Sequence, residues 1–231
     1  MAPRIIVSYD DTDNDRDALA LGRLLAFSGA DLSLAYVRHF PEADPQKEKE
    51  ERRKAEELLG RGAAAIGAPE MARHVVLHAS TSKGLGELAQ REDADIVVFG
   101  SDYRTPAGTV SPGATAERLL NGGPTAVAVA PADMRSRSSV SVSRIGFLPE
   151  SGDDSAEETA RSLAAGLGAS VVDAADGAVD LLLVGSREGT PNRRLELSSA
   201  AENAIEAASA PVLAVPRAAA VQFTAPVSAG A

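Results

Sequence analysis

Residues 96–131 read IVVFGSDYRTPAGTVSPGATAERLLNGGPTAVAVAP, and this segment indicates the architecture more clearly than any other. A short apolar run at residues 96–99 leads into a loop over residues 100–113, a helical pattern over residues 114–121 and a second apolar run at residues 126–130. Short apolar runs separated by helical segments are typical of parallel strands that are buried on both faces. The segment therefore predicts a strand, a long loop, a helix and a further strand.

The same alternation extends toward the N-terminus. Three earlier apolar runs lie at residues 5–7, 32–37 and 74–77, and a highly charged helical segment at residues 45–65 joins the second run to the third. Right-handed crossovers place successive helices on the two faces of such a sheet. The pattern therefore predicts an α/β fold with a doubly wound, Rossmann-like parallel sheet.

An internal repeat shows that this pattern occurs twice. The dipeptide Gly-Ser at residues 100–101 recurs at residues 185–186, and the apolar run with its proline at residues 127–131 recurs at residues 212–216, in both cases after 85 positions. Self-similarity at one fixed spacing is the signature of a duplicated unit. We therefore predict two copies of the same fold in one chain.

The second copy is shorter than the first. Residues 144–148 match residues 4–8, but only seven residues, 173–179, separate its second predicted strand from the next, so the charged helix, the third strand and the helix after it have no counterparts. Ser155 and Glu158 have the spacing of a capping box that begins the intervening helix. The predicted boundaries are a complete unit over residues 1–134, a linker over 135–143, a truncated unit over 144–217 and a flexible tail over 218–231.

Composition and charge exclude several classes of function. The formal net charge is -10, whereas a protein that binds the nucleic-acid backbone needs a clustered excess of Lys and Arg. The chain has no cysteine, which excludes thiolate chemistry and agrees with the reducing cytoplasm. No apolar run approaches the roughly 20 residues that span a bilayer, and the N-terminus lacks the pattern of a signal peptide. We therefore expect a cytoplasmic protein that contacts neither nucleic acid nor membrane.

Two segments are candidates for a ligand site, because doubly wound sheets bind ligands beyond the carboxyl ends of their strands. One is Ser8-Tyr9-Asp10 at the end of the first strand, and the other is the loop that ends at Gly113 before a helix. Glycines let backbone amides approach an anion, and the helix N-terminus adds its dipole. The sequence contains no Gly-x-Ser-x-Gly nucleophile motif, so we expect no covalent catalysis.

Gly100-Ser101, Gly108, GATAERLL at residues 113–120 and PTAVAVAP at residues 124–131 together resemble the universal stress protein family in its tandem form. The resemblance covers both units and implies a Rossmann-like fold. In ATP-binding members the loop has a glycine, two residues, a second glycine, nine residues and a third glycine, followed by Ser or Thr. The resemblance places the first and third of these glycines on Gly100 and Gly113.

The resemblance also implies the roles of the remaining site residues. Asp10, after Ser8 and Tyr9, would face the ribose and a divalent cation, and the backbone near Val37 would meet adenine. Five aspartates lie between residues 10 and 17, so a triphosphate there needs the cation to offset their charge. The implied ligand is ATP or AMP with Mg²⁺ bound by Asp10. The alternative is that Asp10 and its neighbours only cap a helix and that no cofactor binds.

Two positions of the loop depart from the family pattern. Tyr103 stands where the second glycine would let the backbone approach phosphate, and Ala114 replaces the hydroxyl residue. Thr115, one position later, is a candidate to supply that hydroxyl. In the second unit the positions of Asp10, Tyr103, Gly113 and Ala114 are taken by Glu150, Glu188, Ser198 and Ser199, which predicts a cradle closed to phosphate.

Three hypotheses about function follow. The first is a nonenzymatic stress-response sensor whose first unit binds an adenine nucleotide. The second is a nucleotide-free structural or interaction protein that acts through dimerisation, and the third is a slow ATP hydrolase. Family members pair through their last strand, so residues 127–130 and 212–215 are expected to form an edge-to-edge contact, either as an intramolecular pseudo-dimer or as a homodimer.

Overall fold

The computed structural model describes residues 1–38, 44–137 and 141–223. The strands of these residues are β1 Arg4–Ser8, β2 Asp31–Arg38, β3 Ala72–Leu77, β4 Ile96–Gly100, β5 Ala126–Ala130, β6 Arg144–Leu148, β7 Ser170–Asp173, β8 Leu181–Val184 and β9 Val212–Ala214. They form one sheet in the order β3-β2-β1-β4-β5-β9-β8-β6-β7.

The helices of the same residues are α1 Asp13–Ala26, α2 Pro45–Ala65, α3 Thr81–Arg91, α4 Ala114–Leu120, α5 Ser155–Leu167 and α6 Ser199–Glu206. Apolar residues of α1, α2 and α5 form the core on one face of the sheet, and those of α3, α4 and α6 form the core on the other. Within the described ranges, none of these helices combines the length and the apolarity that a bilayer crossing requires.

The first unit is the doubly wound sheet that the sequence predicts. Strands β1 to β5 are parallel to one another, and each of the five predicted apolar runs lies in one of them. Helix α1 begins at a complete capping box, in which Thr12 and Asp15 each accept a hydrogen bond from the other's backbone amide. This box fixes the path of the chain between the end of β1 and the first turn of α1.

The second unit has four strands that are parallel to one another. Its second strand, β7, is joined to β8 by residues 174–180, which include one short 3-10 turn. Within the described residues, no element of this unit therefore corresponds to α2, β3 or α3. The predicted truncation is confirmed, and β7 is left as an edge strand of the sheet.

The predicted capping box at Ser155 and Glu158 is wrong. Helix α5 has Asp154 as its N-cap residue, and no side chain caps it. Ser155 is the first residue of the helix, and its hydroxyl donates to Asp153 at 2.7 Å while it accepts from the amide of Ala219 at 3.1 Å. The hydroxyl therefore holds a segment that is distant in sequence instead of closing its own helix.

Residues 219–223 lie along α5, so the predicted flexible tail is wrong for this part of residues 218–231. Every second amide of the segment donates to a hydroxyl on one stripe of α5. The pairs are Ala219 with Ser155, Val221 with Thr159 and Phe223 with Ser162, at 3.1, 2.9 and 2.7 Å. The side chains of Val221 and Phe223 are buried in the core beside the helix. Residues 138–140 of the predicted linker and residues 224–231 of the tail lie outside the described residues.

The two units are joined by antiparallel pairing of β5 with β9. Beside these strands, the long loop of each unit donates one backbone hydrogen bond to the other unit. The two bonds run from Val110 to Ala208 at 3.2 Å and from Leu195 to Gly123 at 2.9 Å. The two donors are 85 residues apart in the sequence, and so are the two acceptors. The two bonds are therefore equivalent contacts related by a pseudo-twofold axis. The backbone hydrogen-bonding groups on the edges of β5 and β9 are thus paired within one chain, as in an intramolecular pseudo-dimer.

Candidate functional site

An open cleft of about 500 Å³ lies beyond the C-terminal ends of β1 and β4, where the strand order of the first unit reverses. Both candidate segments contribute to it. Six of the nine site residues predicted from the sequence line the cleft, namely Asp10, Gly100, Ser101, Gly113, Ala114 and Thr115. The structure therefore brings the end of the first strand and the long loop together.

The other three predicted residues, Ser8, Tyr9 and Val37, do not line the cleft. Tyr9 is 3% exposed, its ring packs against α2, and its hydroxyl donates to Asp11 at 2.9 Å. Burial, followed by the contact with Asp11, raises the pKa of Tyr9 to about 12. Ser8 is half-buried at the end of β1, and Val37 lies in β2 beneath α3. The contact of the backbone near Val37 with adenine stays a prediction.

Helix α4 begins without a side-chain cap. Its N-cap residue is Gly113, and no atom lies within 4 Å of the place that a Cβ would occupy there. The first backbone bond of the helix runs from the amide of Glu117 to the carbonyl of Gly113 at 2.9 Å. The amides of residues 114–116 therefore need acceptors from outside the helix, and they open onto the cleft.

Gly100 is required by the packing of α1. A Cβ at this position would overlap the backbone carbonyl of Asn14 in the first turn of that helix. The glycine therefore lets α1 lie directly against the end of β4, which brings Asp10 and the loop to the same cleft. This packing requirement is independent of any ligand.

Ser101 holds the loop in its conformation. Its buried hydroxyl donates to the carbonyl of Ala130 at 2.7 Å and accepts from the amide of Ser111 at 3.1 Å. The amide of Asp102 donates to the carbonyl of Ser111 at 2.8 Å. The loop is therefore a closed, internally bonded structure, and the hydroxyl of Ser101 is used within it.

One wall of the cleft is acidic. Asp15 lines it beside Asp10, and one carboxylate oxygen of Asp15 accepts from the amide of Asp10 at 3.1 Å and from the hydroxyl of Thr12 at 2.6 Å. Burial, and next the neighbouring carboxyl of Asp10, raise the pKa of Asp15 to about 7. The pair therefore carries less negative charge near neutral pH than two ordinary aspartates would.

Both departures from the family pattern lie at the cleft. Ala114 is exposed at the first position of α4. Tyr103 stands at the mouth with 70% of its surface exposed, and the guanidinium of Arg104 lies 4.9 Å from the centroid of its ring. At Tyr103 the mouth is thus formed by a side chain where the family pattern has only backbone.

The residues present give only partial support to a metal site. In the described part of the chain, no three His, Asp or Glu side chains come together as a group that would hold an ion. Asp10 is exposed in the cleft with Asp15 next to it. Such a pair is sufficient for Mg²⁺ only when phosphate oxygens and water complete its coordination.

The corresponding place in the second unit is closed. Ser198 caps α6 by accepting from the amide of Ala201 at 3.1 Å, and its hydroxyl donates to the carboxylate of Glu150. These residues occupy the positions of Gly113 and Asp10 in the repeat. The predicted closure of this cradle agrees with these contacts, because the donors that the first unit leaves open here have an internal acceptor.

Asp15 is one acidic residue of the cleft that sequence reasoning missed, and Asp102 is another. From the sequence, the aspartates that follow Asp10 are expected only to cap a helix. The spacing Thr12-x-x-Asp15 is a capping-box signal, which places the side chain of Asp15 back at the start of the helix and hence beside Asp10. That signal is present in the sequence, but the degree of burial is not.

Comparison with known proteins agrees with this architecture. The chain is similar in structure to a universal stress protein from Archaeoglobus fulgidus DSM 4304, with 16% identity, a TM-score of 0.68 and coverage of 93% of this chain and 98% of that chain. It is also similar to a functionally unknown protein from Pseudomonas aeruginosa PAO1, with 12% identity, a TM-score of 0.59 and coverage of 94% and 93%. At this identity the likeness shows the fold alone.

A universal stress protein solved in complex with cAMP has 24% identity, a TM-score of 0.34 and coverage of 42% of this chain and 75% of that chain. A comparison with curated proteins gave no match. The model of the universal stress protein family matches residues 1–131, which is more than half of the 231 residues. The resemblance of the loop is thereby confirmed, and the chain belongs to the universal stress protein family.

Proposed function

We propose that the first unit binds an adenine nucleotide with a divalent cation, and that the protein is a nonenzymatic stress-response sensor of the cytoplasm. The observation that supports this most directly is the uncapped start of α4, whose amides open onto the cleft. A phosphate group would accept these donors and lie at the positive end of the helix dipole. The choice of an adenine nucleotide, ATP or AMP, comes from the family resemblance of the loop.

The acidic wall makes the cation part of this proposal. Asp10 and Asp15 line the cleft, and carboxylates beside phosphate groups repel them. Proteins bind Mg²⁺ through one or two carboxylates together with phosphate oxygens. Asp10 is exposed and would hold the cation, which would offset the charge of both groups. Asp15 would position Asp10 by accepting the hydrogen bond from its amide.

A nucleotide-free interaction protein is the second candidate, and the bonding of the loop favours it. The amides of Asp102, Gly108 and Ser111 all donate to acceptors inside the protein. A loop of this kind keeps its shape without a ligand. Nucleotide binding therefore depends on the start of α4 rather than on the loop amides.

The test is calorimetric titration of the full chain with MgATP. We expect micromolar binding that Asp10→Ala abolishes, while Asp154→Ala, the same change of charge at the start of α5, leaves it unchanged. Gly113→Ser, which introduces the cap seen in the second unit, should also abolish binding because the serine hydroxyl accepts from the open amides.

Absence of heat at millimolar MgATP would contradict the proposal and favour the interaction protein. Equal binding by the wild type and Asp10→Ala would contradict the assignment of the cation to Asp10. Phosphate release from MgATP decides the remaining hypothesis. Turnover by the wild type above that of Gly113→Ser would establish a hydrolase instead of a sensor.

A further inference from the structure

Tyr103 is unusually exposed for an aromatic residue. Among the described residues, three large apolar side chains are strongly exposed, and the other two, Met1 and Phe27, do not line the cleft. An exposed aromatic ring at the mouth of a cleft has no packing role in the core of the protein. Its position therefore needs an explanation in terms of what it contacts.

The turn that carries Tyr103 is well defined. The amide of Thr105 donates to the carbonyl of Asp102 at 2.9 Å, and the amide of Arg104 donates to the carboxylate of Asp102 at 3.0 Å. An aspartate that accepts a bond from the amide two residues later is a common way to fix a turn. Tyr103 and Arg104 are therefore held together at its tip.

Arg104 uses the ring instead of a carboxylate as its partner. Its guanidinium lies 4.9 Å from the ring centroid of Tyr103, and none of the acidic groups in the described residues forms an ion pair with it. A guanidinium stacked on an aromatic face keeps its edge donors available. The ring thus orients the arginine without neutralising its charge.

The cleft beside this arginine has the opposite charge. Asp10, Asp15 and Asp102 line it, and no Lys, Arg or His among the described residues does so. A polyphosphate in such a cleft gains more from a nearby arginine than a neutral ligand does, because each further phosphate adds negative charge. Arginine also matches phosphate geometrically through paired N-H donors.

We propose that Arg104, held at the mouth by Tyr103, contacts the phosphates of the bound nucleotide and makes the first unit selective for a nucleoside triphosphate over a monophosphate. The inference rests on the proposed nucleotide function and assigns a specificity-determining role to two residues. Tyr103 is then a positioning residue, and its side chain replaces the backbone approach to phosphate that glycine permits at this position of the family loop.

The experiment compares the affinities of full-length variants for MgATP and MgAMP by calorimetry. Loss of one hydrogen-bonded charge should lower the MgATP affinity of Arg104→Ala about tenfold or more, and the MgAMP affinity by much less. Arg23→Ala removes the same charge from the last turn of α1 and should change neither affinity. Tyr103→Phe keeps a ring for the guanidinium and should bind as the wild type does, whereas Tyr103→Ala should approach Arg104→Ala.

Three results would overturn the inference. Unchanged MgATP binding by Arg104→Ala would show that Arg104 does not contact the phosphates. An equal loss of affinity for MgATP and MgAMP would show that it does not select between them. Tighter MgATP binding by Tyr103→Ala would show that the ring obstructs the cleft. In each of these cases the wild type still binds, so the proposed nucleotide function stands, whereas a wild type that binds neither nucleotide would end both.

Discussion

The two units begin corresponding helices with almost the same backbone and with opposite chemistry. The N-cap residue of α4, Gly113, has φ -75° and ψ 165°, and that of α6, Ser198, has φ -79° and ψ 160°. The serine hydroxyl caps its own helix and donates to Glu150, whereas the glycine has no side chain that could accept from the amides that follow. The capping serine and the glutamate bound to it therefore separate the closed helix start from the open one.

This difference shows how a duplicated unit loses a site while it keeps its fold. The loops of both copies retain the buried serine. The hydroxyl of Ser101 donates to the carbonyl of Ala130 at 2.7 Å, and that of Ser186 lies 2.9 Å from the carbonyl of Arg194 and 3.2 Å from that of Val215. A buried serine hydroxyl at the same position of the repeat thus holds the loop in both units. The groups that would meet a ligand have changed, because the fold does not depend on them.

The first glycine of each loop gives the largest expected contrast between the units. Gly100→Ala would push a methyl group into the carbonyl of Asn14, whereas at Gly185 the nearest atom, Cγ of Glu150, is 3.4 Å from the new Cβ. We expect Gly100→Ala to lower the free energy of unfolding by about 2 kcal/mol, within the usual range for overpacking, and Gly185→Ala to change it by less than about 1 kcal/mol.

Urea denaturation of both variants measures this contrast. Equal losses for the two would show that α1 moves away from β4 at little cost. In that case the requirement for Gly100 would have to come from a ligand instead of from packing.

The cap of α6 gives the next effect. Ser198→Ala removes the acceptor for the amide of Ala201 and the donor to Glu150. We expect a loss of about 1 kcal/mol, the usual contribution of an N-cap hydroxyl. The same denaturation experiment measures it, and calorimetry should show no new MgATP binding because the carboxylate of Glu150 remains at the helix start. Nucleotide binding by this variant would show that the cap alone closes the second cradle.

The last effect concerns the pH dependence of stability. The pKa of Asp15 in the folded protein is about 7, above the value of about 3.9 in the unfolded chain, so the folded state holds a proton here that the unfolded state has lost. The contribution of this group to stability is therefore fully present below about pH 4 and is lost as the pH rises toward 7. After burial, the neighbouring carboxyl of Asp10 is the next cause that raises this pKa.

Asp15→Asn should remove this dependence. The free energy of unfolding of the variant, relative to that of the wild type, should therefore be higher at pH 8 than at pH 5. Denaturation midpoints at the two pH values measure the change, and Asp13→Asn, at an exposed position of the same helix, is the matched control. Parallel profiles for the wild type and Asp15→Asn would contradict the raised pKa.

Most of the fold was predictable because it is encoded by local patterns. The five apolar runs of the first unit each give a strand, and the repeat spacing of 85 places the second loop correctly, as the equivalent bonds of Ser101 and Ser186 show. Periodicity and repetition are properties of adjacent residues, so the sequence contains them directly.

The parts that were not predictable depend on partners distant in sequence. The hydroxyls of α5 are visible in the sequence, but nothing local indicates that residues 219–223 return to them, so a tail poor in large apolar groups resembles a disordered one. The place of Val37 beneath α3 follows from the order of the strands, which no local pattern states. The raised pKa of Asp15 likewise depends on burial, which only the folded chain shows.

The pairing of β5 with β9 also bears on how the chain is synthesised. All five residues of β5 are buried in the final fold, and the strand that covers its edge, β9, is the last strand of the described residues to be translated. At roughly 5–20 residues per second, β5 leaves the ribosome seconds before β9 does. During that interval the nascent first unit presents an uncovered apolar strand edge, which is a surface prone to edge-to-edge aggregation. A translational pause between the units would lengthen this interval, and rapid completion of the chain would shorten it.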